Sequence, residues 1–225
     1  MLLLAVLMVV MINPFVNAGG GNPYHDPATG KFTNAITSRA SVTALANAEG
    51  ILLGFEDMPD NTNGYFTLES GKPKIVLSNE MFTAKFIEEV KAGNTKWKLN
   101  NPEKPYAASN LLSDSTVGGY SNYKDYVTDH EIAHSRMFRY ALKREYAPGK
   151  SSDDYCQGTK EWIETANKAI DEGWKSPTQY SSMNYGELYA ECSVLHEYGY
   201  DEYLHKDIVG FIEIVNGEVK TYDEG

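Results

Sequence analysis

The chain has 225 residues, 42% of them hydrophobic and 12% aromatic, enough apolar material for one well-cored globular domain. Twenty Lys and Arg against 31 Asp and Glu leave a net charge of −11, which repels a phosphate backbone and an anionic membrane surface alike and excludes nucleic acid as an expected partner. Two cysteines, Cys156 and Cys192, are too few for a disulfide scaffold; they form one bridge in an oxidising compartment or stay as thiols.

Residues 1–18, MLLLAVLMVVMINPFVNA, contain an apolar run shorter than the roughly 20 residues a membrane span needs, so no stable span is expected. Small residues at Val16-Asn17-Ala18 suit a signal-peptide cleavage site, although no Lys or Arg precedes the apolar run. A cleaved signal implies a secreted or virion-associated protein. Residues 19–35 are rich in Gly, Pro, Asn and Thr and read as a flexible linker, similar to the joints of tailed-phage head proteins. The domain proper is expected over 36–215, with a tail at 216–225.

Within it, 39–50 predicts a helix stopped at Gly50, and 51–55 a short strand. Residues 64–70 and 73–79 predict a hairpin joined through Gly71-Lys72. The stripe of Met81, Phe82, Phe86, Ile87 and Val90 predicts a helix over 80–93. Residues 94–120 are irregular. A long helix begins near Tyr123, carries Lys143 and Arg144 where cations suit its negative end, and stops at Pro148-Gly149. Further helices are expected over 159–173, 184–199 and 201–215. Strands early and helices late make the fold α+β.

The long helix contains 130-HEIAH-134. Residues four apart on a helix share a face, so His130 and His134 can aim ring nitrogens at one point, a spacing that suits zinc. Glu131 is rotated about 100° from His130, away from the metal but within reach of a bound water as its general base. An accidental, solvated pair of histidines is the alternative; the apolar Ile132, Ala133, Met137, Phe138 and Ala141 speak for a buried helix, where imidazoles need partners.

A catalytic site needs a third protein ligand and an open position. The long motif with a third histidine requires a glycine at position 137 and a histidine at 140, where this chain has Met137 and Tyr140. A later helix offers Glu187 and Glu191, again four apart, of which one can ligate while the other hydrogen-bonds a ligand histidine. Asp154 and Glu161 are the candidates for a thermolysin-like site, with helix capping the expected job of Asp154. His196 and His205 are expected on a solvated face, His25 is expected to be uninvolved, and Arg136 and Arg139 are expected to pair with acids.

HEIAH followed by 180-YSSMNYGELYAE-191 resembles the catalytic domain of the anthrax lethal factor type, the related Pro-Pro endopeptidases and phage-borne metallopeptidase domains, a gluzincin group. The likeness spans about residues 123–195. It implies Glu187 as third zinc ligand, Tyr180 as the tyrosine that stabilises the oxyanion, and Glu191 as the acid behind the ligands. The group usually has two aromatics between its glutamates; here Leu188 replaces one, and Cys192 follows where a small or acidic residue is common. The resemblance implies a zincin-like α+β fold: a small N-terminal sheet, an active-site helix and a C-terminal helical part.

The expected activity is zinc-dependent endopeptidase action on a protein or peptide, with one zinc per chain. Strand 73–79 is a candidate edge for an extended substrate, while Ile75 and Leu77 on one face suit plain sheet core instead. The alternative to an enzyme is a structural or interaction module, such as a virion component, in which zinc staples two helices. Such a site is closed by four protein ligands, and Cys192, one position past Glu191, points away from it.

Overall fold

The computed structural model describes residues 24–25, 32–33, 39–59, 62–83, 85–86, 123–145, 150–177 and 180–220. The expected signal peptide, most of the linker, the segment 94–120 and the Pro148-Gly149 stop lie outside them. The architecture is mixed α+β, and the chain divides into two compact units, 1–129 and 130–225. No described helix is long and apolar enough to cross a membrane.

In the first unit, β1 (Tyr24–His25) pairs antiparallel with β2 (Phe32–Thr33). Helix α1 (Ala40–Ala48) buries Val42 and Ala46, one turn apart on a single face. It ends as predicted at Gly50, whose φ of +64° is the left-handed conformation that glycine reaches without steric penalty. The Ile51 amide then donates back to the Ala46 carbonyl at 2.9 Å and aims the chain into β3 (Leu52–Glu56).

β4 (Gly64–Glu69) and β5 (Lys72–Ser78) form the predicted hairpin, displaced by one residue from the expected turn. Glu69 pairs with Lys72, so the two-residue loop is Ser70-Gly71, with φ of +52° and +79°. Two consecutive left-handed residues match the twist of the flanking strands, a combination that Gly71-Lys72 would not supply. β3 adds parallel to the other side of β5, giving the order β3-β5-β4. The 73–79 segment is therefore the central strand, with both sides of its backbone already paired. Ile75, Val76 and Leu77 are all buried, so the segment is sheet core and not an edge for a substrate.

The helix expected over 80–93 is divided. Asn79–Phe82 forms a 3-10 turn capped by the Ser78 hydroxyl, and Thr83 accepts the Phe86 amide through its own hydroxyl at 3.2 Å. Two hydroxyl caps five residues apart, at Ser78 and Thr83, favour a break in an otherwise continuous apolar stripe. The remainder of that helix lies outside the described residues.

Helix α2 (Tyr123–Glu145) is the predicted long helix, with Lys143 and Arg144 in its last turn. Its beginning belongs to the first unit. There Lys124 is buried and donates to Ser41 at 2.6 Å, and Ser41 donates to Asp125 at 2.6 Å, which ties α1 to the first turn of α2. Burial pulls the Lys124 ammonium below its usual pKa while Asp125 opposes that shift.

In the second unit, α2 continues with Ile132, Ala133, Met137, Phe138 and Ala141 all buried, as the sequence predicts. A short helix α3 (Ser152–Cys156) precedes α4 (Lys160–Asp171), which Thr159 caps by accepting the Trp162 amide at 3.1 Å. Then come a 3-10 turn at Tyr180–Ser182, α5 (Tyr185–Glu197), a 3-10 turn at Asp201–Tyr203 and α6 (Lys206–Lys220), which extends past the expected end at 215. Trp162, Tyr189 and Phe211 build the aromatic centre of this unit, the first two edge-to-face at 5.4 Å between centroids. Neither Cys156 nor Cys192 is in a disulfide.

Gly158 is packed closely against that core. Its φ is +94°, and a Cβ there would lie 2.5 Å from Cδ1 of the buried Trp162 and 3.3 Å from Cε of Met137. Gly158→Ala is therefore expected to destabilise the protein by about 2–4 kcal/mol, from overpacking and backbone strain together. Urea denaturation of the variant against the parent measures it.

Candidate metal centre

The site is built wholly within the second unit from two helices. On α2 the four-residue spacing brings Nε2 of His130 and Nε2 of His134 to 3.1 Å from each other. On α5, capped by Asn184, Glu187 lies in the first turn and points its Oε2 at the same place, 2.9 Å from His130 Nε2 and 3.4 Å from His134 Nε2. All three residues are buried and can together hold a metal ion.

Glu191, one turn further along α5, takes the other side of His130. Its Oε1 lies 3.0 Å from Nδ1. A carboxylate accepts only, so Nδ1 carries a proton toward Glu191, while Nε2 faces His134 and Glu187 and is the nitrogen that a metal would take in exchange for its proton. Of the two glutamates that the sequence offers as third ligand, Glu187 faces both histidines and Glu191 only the back of one.

The electrostatics of the cluster favour positive charge on its imidazoles. Burial opposes charge on His130, yet the hydrogen bonds and negative charges of Glu187 and Glu191 override it and hold the imidazole pKa up at about 10. Burial likewise opposes the charged form of Glu187, but His134 and His130 draw its carboxyl well below the usual range. Two carboxylates and two imidazoles packed out of water thus favour one added positive charge.

Glu131 is buried beside His130 and is not one of the three converging ligands. Tyr180 opens the 3-10 turn before α5, its ring 5.7 Å from that of His130. Burial drives its phenol upward, and Glu187 and Glu131 drive it further, so the hydroxyl remains protonated as a hydrogen-bond donor. The turn is held by the Met183 amide donating to the Tyr180 carbonyl at 3.0 Å.

The other candidates fall elsewhere. Asp154 accepts from the amide and hydroxyl of Ser151 at 2.7 and 2.8 Å, the capping role expected of it. Glu161 accepts from Tyr140 at 3.3 Å. His196 pairs with Asp201 at 2.7 Å and His205 with Glu172 at 3.0 Å, and Arg136 pairs with Glu197. Among the described residues no cysteine joins the group, and burial pushes the Cys192 thiol well up. What sequence reasoning passed over is the support of the Glu187 turn by Asn184 and Trp162. The Asn-x-x-Glu spacing of a helix start was the available signal for the first.

No protein-family model, curated protein or solved structure matches the chain.

Proposed function

We propose that the protein is a zinc-dependent endopeptidase of the gluzincin type, with His130, His134 and Glu187 as the metal ligands. The observation that carries this reading is the convergence of two imidazole nitrogens and one carboxylate oxygen at 2.9, 3.1 and 3.4 Å from one another. Tetrahedral zinc with ligands at about 2.0–2.1 Å has edges of about 3.3 Å, so the triangle fits one face of such a site. Two histidines and a carboxylate suit zinc, and three protein ligands suit a catalytic ion more than a structural one. The alternative, zinc stapling two helices in a structural module, calls for a fourth protein ligand, and among the described residues none joins the three.

Bound zinc would supply Lewis acidity, polarising a peptide carbonyl and acidifying water. The chain's own groups do the rest. Glu131, next to a ligand but rotated away from it, takes the proton from the attacking water and returns it to the departing amine. Tyr180, kept protonated, donates its O–H to the oxygen on which negative charge develops. Glu191 holds His130 in the tautomer that leaves Nε2 free.

A digest of a peptide library with the zinc-loaded protein tests the assignment. Cleavage is expected to stop when a chelator removes the metal and to return with added zinc; cleavage indifferent to the chelator, or none by the loaded protein, would overturn it. Tyr180→Phe is expected to retain the metal and lower kcat by about 10²- to 10³-fold, the effect of losing one oxyanion donor.

A further inference from the structure

The carboxylate of Glu187 is only as well placed as the first turn of α5, and that turn is gripped at three successive residues. The Glu187 amide donates to Oδ1 of Asn184 at 2.9 Å. The indole N–H of the fully buried Trp162 donates to the Tyr185 carbonyl at 2.8 Å. Between them Gly186 sits so close to Cys156 that a Cβ would lie 2.7 Å from its carbonyl oxygen.

An Asn-x-x-Glu start normally works in both directions, the asparagine capping the third residue's amide and the glutamate reaching back to the cap residue's own amide. Here the carboxylate is directed to His130 and His134, at 2.9 and 3.4 Å. The reciprocal half of the cap is thereby given up, and the forward half, with the indole bond, holds the turn. Metal coordination tolerates errors of only about 0.2 Å in ligand distance. A frayed first turn moves a side chain by more than that.

We propose that Asn184 and Trp162 are positioning residues for the metal centre, setting where the Glu187 carboxylate stands and hence the affinity of the site for a divalent cation. The inference rests on the ligand assignment made above and not on hydrolysis. Neither residue touches the metal or the substrate; both act through the backbone of residues 185–187.

Cobalt(II) is the probe, followed by its visible absorption and by competition with a chelating dye. Asn184→Ala is expected to weaken cobalt binding by about ten- to a hundredfold, as loss of a supporting partner does, and Asn184→Ser, which keeps a capping oxygen, to restore it. Trp162→Phe, which retains a ring but deletes the indole N–H, is expected to weaken binding in the same sense. Tyr189→Phe, altering by one hydroxyl the ring that meets Trp162 edge-to-face, serves as the control and is expected to bind as the parent does. Parental affinity in both Asn184→Ala and Trp162→Phe, or an Asn184→Ser variant as weak as Asn184→Ala, would overturn the proposal. A parent that binds no cobalt would overturn the ligand set, and this inference with it. Should Trp162→Phe fail to fold, the exposed Asn184 pair alone decides.

Discussion

Glu131→Gln is expected to keep one metal ion per chain and to lose cleavage activity by about 10²- to 10⁴-fold in kcat, the range that a positioned proton acceptor contributes. The substitution keeps the size and the hydrogen-bonding reach of the side chain but removes its capacity to take a proton. Glu131 is buried beside His130 and stands outside the converging ligands, so the metal has no reason to leave. Metal analysis together with steady-state kinetics on a cleaved peptide separates the two effects. Parental turnover in the variant would eliminate the hydrolytic mechanism while leaving the metal site in place.

Glu187→Ala and His130→Ala are each expected to lower metal affinity by more than about a hundredfold, beyond the loss that follows removal of a mere supporting partner. The two variants should differ in the metal-free state. Removing Glu187 leaves His130 still bonded to Glu191 at 3.0 Å. Removing His130 takes the 2.9 Å partner from Glu187, which keeps His134 at 3.4 Å, and the 3.0 Å partner from Glu191, both carboxylates being about 2% exposed. Breaking a buried pair in this way typically costs about 3–5 kcal/mol. Chelator-treated His130→Ala is therefore expected to unfold at clearly lower urea than chelator-treated Glu187→Ala. Equal midpoints would show that the two glutamates do not depend on His130, and retention of metal by both variants would refute the ligand set.

The histidine pair was legible because its geometry is local. Four residues of helix suffice to bring His130 and His134 together, and the apolar spacing around them predicted the burial that was found. Helix ends were legible for the same reason: Gly50, Gly173 and Gly199 all have positive φ where the periodicity stops. The hairpin was legible as well, though not its loop, because whether Ser70 or Lys72 joins Gly71 depends on which cross-strand pair closes the ladder. The stripe misled only at its start, where Asn79–Phe82 is a 3-10 turn, because hydroxyl caps at Ser78 and Thr83 compete locally with an uninterrupted helix.

The ligand-bearing segments and their approximate limits follow from residue order alone, since capping, periodicity and i, i+4 spacing act within a few residues. The place of β5 at the centre of its sheet does not, because β3 reaches it by parallel pairing across the fifteen intervening residues 57–71, which include β4. Nor does the division of labour between Glu187 and Glu191, which share a helix and a spacing. Only packing α5 against α2 sends one to the open nitrogens and the other to Nδ1 of His130, because two carboxylates a turn apart cannot both face the same side of a single ring.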